Sequence, residues 1–305
     1  MSLCFSAIVV LLRPIMERKT NNQLLVPMDF SDINEVALSH AVKVAQTYKN
    51  EILLLHVMES SLLKNLFGGM EEELVKEALM NRLTKKADAL KASAGINVHV
   101  RLVEGKPYKK IAKIATEEEF DAVIMGSNGA EGVGQIIGSN ASRTIQHSSV
   151  PVVVIKKSNI GPNGYQKIVM PIDLTVETRQ KAEWAIHLAT KFDSEIILLF
   201  ENSTDDYVKQ GIKANLREVT SKLDQSNVKY TLMEIEDSMA TNFATETLAT
   251  ANKLGADLIL VMTHTDKSIG EFVIGTMTQQ LVNKSRNIPI MCIHPKETGF
   301  IFSYS

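Results

Sequence analysis

The sequence has few of the residues that characterise several large classes of protein. Its two cysteines, Cys4 and Cys292, lie near opposite ends of 305 residues and do not have metal-ligand spacing. Neither a disulfide framework nor a zinc site is indicated, so a reducing cytoplasm is the expected location. The one tryptophan, Trp184, has no aromatic neighbours in the sequence to form a stacking surface for nucleic-acid bases.

An excess of one charge and long apolar runs are also missing. Lys and Arg number 33 and Asp and Glu 35, which gives a formal net charge of -2. This balance does not favour nucleic acid or an anionic membrane as the main partner. The apolar run at 5–12 is shorter than the roughly 20 residues of a membrane span. We interpret residues 1–15 as an N-terminal extension, which is either non-native or an extra strand or arm packed on a partner.

Signatures of several common enzyme classes are absent. The chain has no P-loop GxxxxGK[ST], no zinc-protease HExxH and no nucleophile elbow GxSxG. A dinucleotide fingerprint would follow the first strand, where residues 27–31 read PMDFS instead. We therefore predict no catalytic residue and no metal ligand, and enzymatic activity stays an open question.

The sequence does contain one long unit that occurs twice. KIVMPIDLT repeats LLVPMDFS, so that Pro171 and Asp173 correspond to Pro27 and Asp29. EIILLF then repeats EILLLH, ADLILVM repeats FDAVIMG, and IPIMCI repeats VPVVVI, all in the same order. The unit is much longer than the 20 to 50 residues of a solenoid repeat. The order of these matches indicates a tandem duplication.

The duplication defines the predicted domains. A chain of this length is about twice the usual domain size. Residues 158–166, SNIGPNGYQ, are rich in glycine and asparagine, as linkers are, and lie near the midpoint. We predict a first domain at 16–157, a linker at 158–166 and a second domain at 167–305.

Each half alternates apolar runs with helical segments, in the order β-α-β-α-β-α-β-α-β. Continuous apolar runs are typical of parallel strands buried on both faces. The third run, 97–105, alternates and is therefore placed near a sheet edge. The DxxE sequence at 32–35 predicts a capping box for the first helix. We predict an α/β fold of two Rossmann-like domains, each a five-stranded parallel sheet with helices on both faces.

Sheets of this type bind ligands at the carboxyl ends of their strands, where the strand order reverses. If strands 1 and 4 flank the reversal, Asp29 meets the glycine turn at 126–129. The next helix would then direct its N-terminus at 138–140 towards an anion. Asp29 suits the hydroxyls or amino group of a nucleotide better than its phosphates. Asp29 could alternatively close a turn, and Ser139 could be a plain N-cap.

These residues resemble the universal stress protein family, and the resemblance covers nearly the whole chain. The family's nucleotide-binding pattern is GxxG, nine residues, then GS or GT. Residues 126–129 (GSNG) and 138–139 (GS) match it, although only eight residues lie between them. The second half keeps nine residues before 275–276 (GT), but Met262 and Thr265 replace both earlier glycines. The first copy therefore departs from the pattern in one spacing, and the second at two glycine positions.

The resemblance implies a fold of the adenine nucleotide alpha hydrolase-like type and a stress protein without a defined reaction. It implies ATP or AMP as the bound nucleotide, with or without Mg²⁺. It also implies that the fifth strands, Val152–Ile155 and Ile290–Ile293, pair the two domains, and that two chains form a homodimer. The implied nucleotide-binding residues of the first half are Pro27, Met28, Asp29, Val57, Gly126, Asn128, Gly129, Gly138, Ser139 and Asn140. Those of a degenerate second site are Pro171, Ile172, Asp173, Gly275, Thr276 and Met277.

The two departures differ in their physical cost. One missing loop residue shifts the loop by at most about 3.5 Å, which a glycine-containing loop can absorb. Met262 instead adds bulk where backbone should approach phosphate, and β-branched Thr265 resists positive φ. We therefore predict the nucleotide site in the first half. A nucleotide-free interaction scaffold and a weak ATP hydrolase are the alternatives.

Overall fold

The computed structural model describes residues 21–59, 69–127, 138–236, 242–266 and 271–296. The N-terminal extension and two of the predicted site residues, Asn128 and Gly129, lie outside these ranges.

The first half alternates strands and helices as the sequence predicts. Its elements are β1 (Gln23–Pro27), α1 (Asp32–Tyr48), β2 (Glu51–Met58), α2 (Gly69–Ala94), β3 (Val98–Glu104), α3 (Pro107–Glu117), β4 (Ala122–Gly126), α4 (Ser139–His147) and β5 (Val152–Ile155).

The second half repeats this order with two changes. Its first helix starts as a 3-10 turn, and a short hairpin follows its fourth strand. The elements are β6 (Lys167–Pro171), the 3-10 turn (Val176–Gln180), α5 (Lys181–Phe192), β7 (Glu195–Asn202), α6 (Asp206–Gln225), β8 (Tyr230–Glu236), α7 (Phe243–Leu254), β9 (Leu258–Met262), β10 (His264–Asp266), β11 (Glu271–Val273), α8 (Thr276–Lys284) and β12 (Ile290–Ile293).

Ten strands form one sheet in the order β3-β2-β1-β4-β5-β12-β9-β6-β7-β8. Within each half the strands are parallel, and the strand order reverses between β1 and β4 and again between β6 and β9. The edge position of β3 agrees with its alternating sequence. The predicted α/β fold, with two tandem Rossmann-like halves, is confirmed.

Successive side chains of the strands enter two separate cores on opposite faces of the sheet. Leu24 and Val26 belong to the core that α1, α2, α5 and α6 cover, whereas Leu25 belongs to the core that α3, α4, α7 and α8 cover. Both faces of the central strands are therefore covered, which explains why their sequences are continuously apolar.

The two halves meet at β5 and β12, which pair antiparallel. Ile290 lies opposite Val154, Met291 opposite Val153 and Cys292 opposite Val152. All the side chains of both strands are buried. Burial raises the pKa of the Cys292 thiol to about 12, so this cysteine stays protonated and unreactive.

The linker is held against the first half by a buried histidine. His40 of α1 has Nδ1 at 3.2 Å from the Tyr165 hydroxyl and Nε2 at 2.9 Å from the Ser158 carbonyl oxygen. Burial lowers the pKa of His40, which favours a neutral ring that donates to Ser158 and accepts from Tyr165. Tyr165 also contacts Phe192 edge to face at 5.4 Å between ring centroids.

The predicted capping box at the start of α1 is wrong. The N-cap of this helix is Ser31, and it makes no side-chain capping bond. Its hydroxyl instead donates to Asp29 Oδ1 at 2.6 Å. The Ser31 hydroxyl thus bonds within the turn before the helix and does not cap it. The DxxE pattern at 32–35 does not include this serine and so could not predict the bond.

Candidate functional site

The carboxyl ends of β1 and β4 lie side by side at the first reversal of strand order, as predicted. Leu24 pairs with Ala122 and Leu25 with Val123, so both strands end at the same edge of the sheet. The Gly138 N–H donates to the Ser127 carbonyl oxygen at 2.8 Å. The start of α4 is therefore fastened to the end of β4, and Gly126, Gly138 and Ser139 come together.

A buried asparagine connects the two strand ends. Asn34, which is 5% exposed, accepts a hydrogen bond from the Asp29 backbone N–H through its side-chain oxygen. A Cβ on Gly126 would lie 3.2 Å from Asn34 Nδ2 and 2.8 Å from Ile33 Cγ2. Gly126 therefore has no room for a side chain because α1 packs directly on it. Asn34 was not predicted as a site residue.

The aspartate that follows the first strand closes a turn in both halves. Asp29 Oδ1 accepts from the Ser31 N–H at 3.0 Å, and Asp173 Oδ1 accepts from the Thr175 N–H at 2.9 Å. The Thr175 hydroxyl donates to Asp173 just as the Ser31 hydroxyl donates to Asp29. This Asx turn accounts for the recurrence of the residue. It also holds the exposed Asp29 carboxylate at the rim of the crevice.

A histidine and an aromatic ring form the β2 side of the first crevice. His56 directly precedes the predicted site residue Val57 in β2. Its Nδ1 lies 2.6 Å from the Met28 carbonyl oxygen. The Phe30 ring lies 5.2 Å from the His56 ring, and the Arg82 guanidinium is 4.1 Å from the Phe30 centroid. Phe30 has φ 62, an uncommon conformation for a non-glycine residue. The sequence offered no signal that these side chains would gather there.

The helix that follows the glycine turn begins at a glycine in both halves. Gly138 and Gly275 are the N-caps of α4 and α8, and neither helix has a side-chain capping bond. The alternative in which Ser139 is a plain N-cap is therefore wrong, because Ser139 is the first helical residue of α4, as Thr276 is of α8. Within the described residues the first N–H groups of α4 have no side-chain cap, and such groups favour an anion. Ser139 and Asn140 are exposed beside them.

The corresponding crevice of the second half has little free space. Its cavity measures about 30 Å³ and is lined by Pro171, Asp173, Lys181, Val261, Met262, His264, Met277 and Thr278. The Thr278 hydroxyl donates to the Met262 carbonyl oxygen at 2.9 Å. A Cβ on Gly275 would lie 2.6 Å from His264 Nε2, so this glycine accommodates the imidazole. Ile172 is buried beneath the site.

Two residues of the second crevice were missed by the sequence analysis. Lys181 is 2% exposed and donates from Nζ to the Pro171 carbonyl oxygen. Burial lowers the pKa of Lys181, and Asp173 partly opposes that shift. Asn215 of α6 donates to the carbonyl oxygens of Asp173 at 2.7 Å and Thr175 at 3.1 Å. The internal repeat did contain a signal for Lys181. The matching position of the first half is an alanine, Ala37, so a lysine at this place is unexpected.

The described ranges contain neither a cluster of metal-ligating residues nor a membrane-spanning helix. No group of three or more His, Cys, Asp or Glu residues there could hold a metal ion. Among the described helices, none combines the length and apolar character needed to cross a membrane.

The comparisons with known proteins agree on one family. The model of the universal stress protein family matches residues 20–156 and 164–294. One universal stress protein of Methanocaldococcus jannaschii is 30% identical over 139 residues, which cover 44% of this chain and 82% of that protein. A second from the same organism is 35% identical over 156 residues, which cover 45% of this chain and 96% of the relative.

A solved structure extends the likeness to both halves together. A universal stress protein from Archaeoglobus fulgidus superposes with a TM-score of 0.74 at 20% sequence identity. The match covers 90% of this chain and 98% of the other. At this identity the likeness shows the fold alone. The two matched segments of the family model together span most of the sequence, and the chain therefore belongs to the universal stress protein family, with two tandem copies of the family's domain.

Proposed function

We propose that this protein binds an adenine nucleotide, ATP or AMP, in the crevice of its first domain and acts as a regulatory or protective module of the stress response. The observation that carries the proposal is the contrast between the two crevices. In the first, β4 ends at Gly126 beside the N-terminus of α4, whereas in the second β9 ends at Met262, and Lys181 and Met262 line a cavity of about 30 Å³.

The first crevice fits the parts of a nucleotide. The N–H groups at the start of α4 favour the phosphates, since free donors and the helix dipole attract negative charge. The Asp29 carboxylate, held by the Ser31 turn, favours the ribose hydroxyls. Gly126 allows α1 to pack against the end of β4, which places Asn34 beside the backbone of Asp29. ATP and AMP share all of these groups, and Mg²⁺ would accompany only the phosphates.

The domain arrangement belongs to the same proposal. We expect the boundaries 16–157 and 167–305, joined by the linker 158–166. Pairing of the two domains through β5 and β12 would hold them together in solution, and two chains would form a homodimer in the cytoplasm.

Asp29→Asn tests the proposed role of the first crevice. Asparagine keeps the side-chain oxygen that closes the turn but loses the charge that would accept hydrogen bonds from ribose. Hydrogen bonds to a charged group contribute about 1.5–3 kcal/mol, so we expect roughly 10- to 100-fold weaker ATP binding, measured by displacement of a fluorescent nucleotide. Asp173→Asn is the matched control, because it makes the same change in the same turn of the second half.

The outcomes separate the candidate functions. Equal affinity of both variants and the parent would contradict the proposed role of Asp29, and loss of binding in Asp173→Asn alone would place the ligand in the second domain. Absence of binding to any of the proteins at millimolar ATP would favour a nucleotide-free scaffold. Phosphate release with Mg²⁺ well above that of a Ser139→Ala variant would favour a hydrolase.

A further inference from the structure

One position of the first helix of each domain holds residues of very different size and charge, Ala37 in α1 and Lys181 in α5. α1 ends at Tyr48, and its counterpart α5 ends at Phe192, with the same offset that separates Pro27 from Pro171. The same offset relates Ala37 of α1 to Lys181 of α5. Ala37 is fully buried in the core of the first domain. A small apolar core residue of the first domain thus corresponds to a long cationic residue that lines the second crevice.

Lys181 extends into the second crevice and not into solvent. Its residue surface is 2% exposed, and its Nζ donates to the carbonyl oxygen of Pro171, the last residue of β6. Lysine is almost never fully buried unless it is paired. Among the residues that the structure describes, Pro171 is the acceptor recorded for this ammonium, and the Asp173 carboxylate lies near enough to favour its charge.

The remaining space is too small for a nucleotide. The cavity that Lys181 lines measures about 30 Å³, which is room for one or two water molecules. Sites for small organic ligands usually measure roughly 300 Å³ or more. Met262 lines the same cavity, at the position that corresponds to Gly126. A nucleotide could enter only if the lysine left the Pro171 carbonyl.

We propose that Lys181 is an internal plug that excludes nucleotide from the second crevice. This inference rests on the proposed function, because it takes both crevices as versions of one nucleotide site. The stem of the lysine occupies the volume, and its ammonium bonds the strand end that would otherwise face a ligand. The plug makes the tandem protein a one-site binder and leaves the second domain free for another role.

Variants that copy the first crevice into the second test the plug. Lys181→Ala/Met262→Gly introduces the residues that correspond to Ala37 and Gly126. Lys181→Met/Met262→Gly is the matched control, because methionine keeps most of the length of the lysine side chain without its charge. We expect calorimetric titration with ATP to show one site per chain for the parent and the methionine control, and two sites for the alanine variant.

Each outcome of the titration either supports or overturns the proposal. A folded alanine variant with no additional site, or a methionine control that also gains one, would overturn the plug. If the parent binds no ATP, the proposed function of the first domain fails, and a gain from zero to one site in the alanine variant would still support the plug. No gain would overturn it.

A second measurement on the unmodified protein covers the case in which the alanine variant fails to fold. Lysines of the native chain are methylated reductively, with and without saturating ATP, and the modified residues are mapped by mass spectrometry. We expect Lys181 to stay unmodified under both conditions while exposed lysines such as Lys229 react. Modification of Lys181 only in the presence of ATP would show that nucleotide displaces it, and would overturn the proposal.

Discussion

Val154→Asp should unfold the protein or leave it barely stable. Val154 is fully buried in the strand where the two halves meet, opposite Ile290 of β12 and beside Met125 of β4. A carboxylate at this position would lose its hydration and find only apolar neighbours. Leaving an unpaired charge buried in a protein core costs about 3–5 kcal/mol of folding free energy. That is a large part of the roughly 5–15 kcal/mol that stabilises a typical folded domain.

The matched control is Leu232→Asp, which makes a similar apolar-to-acid change on the edge strand β8. Leu232 is 50% exposed, so its carboxylate would stay hydrated and the free energy of unfolding should change by less than about 1 kcal/mol. Urea unfolding of both variants at pH 7 measures the difference. Equal losses of stability in the two variants would contradict the burial and pairing of β5 described above.

Gly164→Ala should cost about 3 kcal/mol. Gly164 has φ +76, and a Cβ at this position would overlap the Phe192 ring. The left-handed conformation costs an alanine about 1–2 kcal/mol, and the overlap adds about 1–3 kcal/mol. Phe192 contacts both Tyr165 and Tyr48, so its displacement would also loosen the packing of the linker against the first half.

Gly161→Ala, in the same linker, is the internal control. A Cβ on Gly161 would meet nothing within 4 Å, and its φ is compatible with alanine. Such a change reduces the entropy of the unfolded chain, so we expect a gain of about 0.4–1 kcal/mol. Thermal and urea unfolding of the two variants measure the contrast. A Gly164→Ala variant as stable as the parent would show that the turn and the Phe192 ring adjust freely.

Much of the fold could be predicted from the sequence because its signals are local and repeated. Continuous apolar runs indicate strands buried on both faces, and the repeated order gave two similar halves. The edge position of β3 followed from its alternation. The hairpin of β10 and β11 was not predicted, since HTD and EFV are too short to carry a period. The two strands form because they pair with each other, and no residue pattern in the sequence indicates this pairing.

The candidate site could be predicted only in part. Asp29, Gly126 and Gly138 occupy the expected places because strand ends and helix starts determine them. Asn34 accepts from the backbone of Asp29 in the preceding turn, and Asn215 donates to the backbone of Asp173 and Thr175 from another helix. No sequence pattern marks an asparagine for either use. Lys181 differs in this respect. Comparing the two halves position by position would have shown a lysine in place of Ala37, on a helix face that is otherwise buried.

The measurement that tests the central claim most directly is calorimetric titration of the unmodified chain with ATP. The contrast between the first crevice, where β4 ends at Gly126, and the second, which Lys181 and Met262 line, predicts a single site per chain. Absence of heat at millimolar ATP would contradict nucleotide binding, and two equivalent sites per chain would contradict the difference between the two crevices.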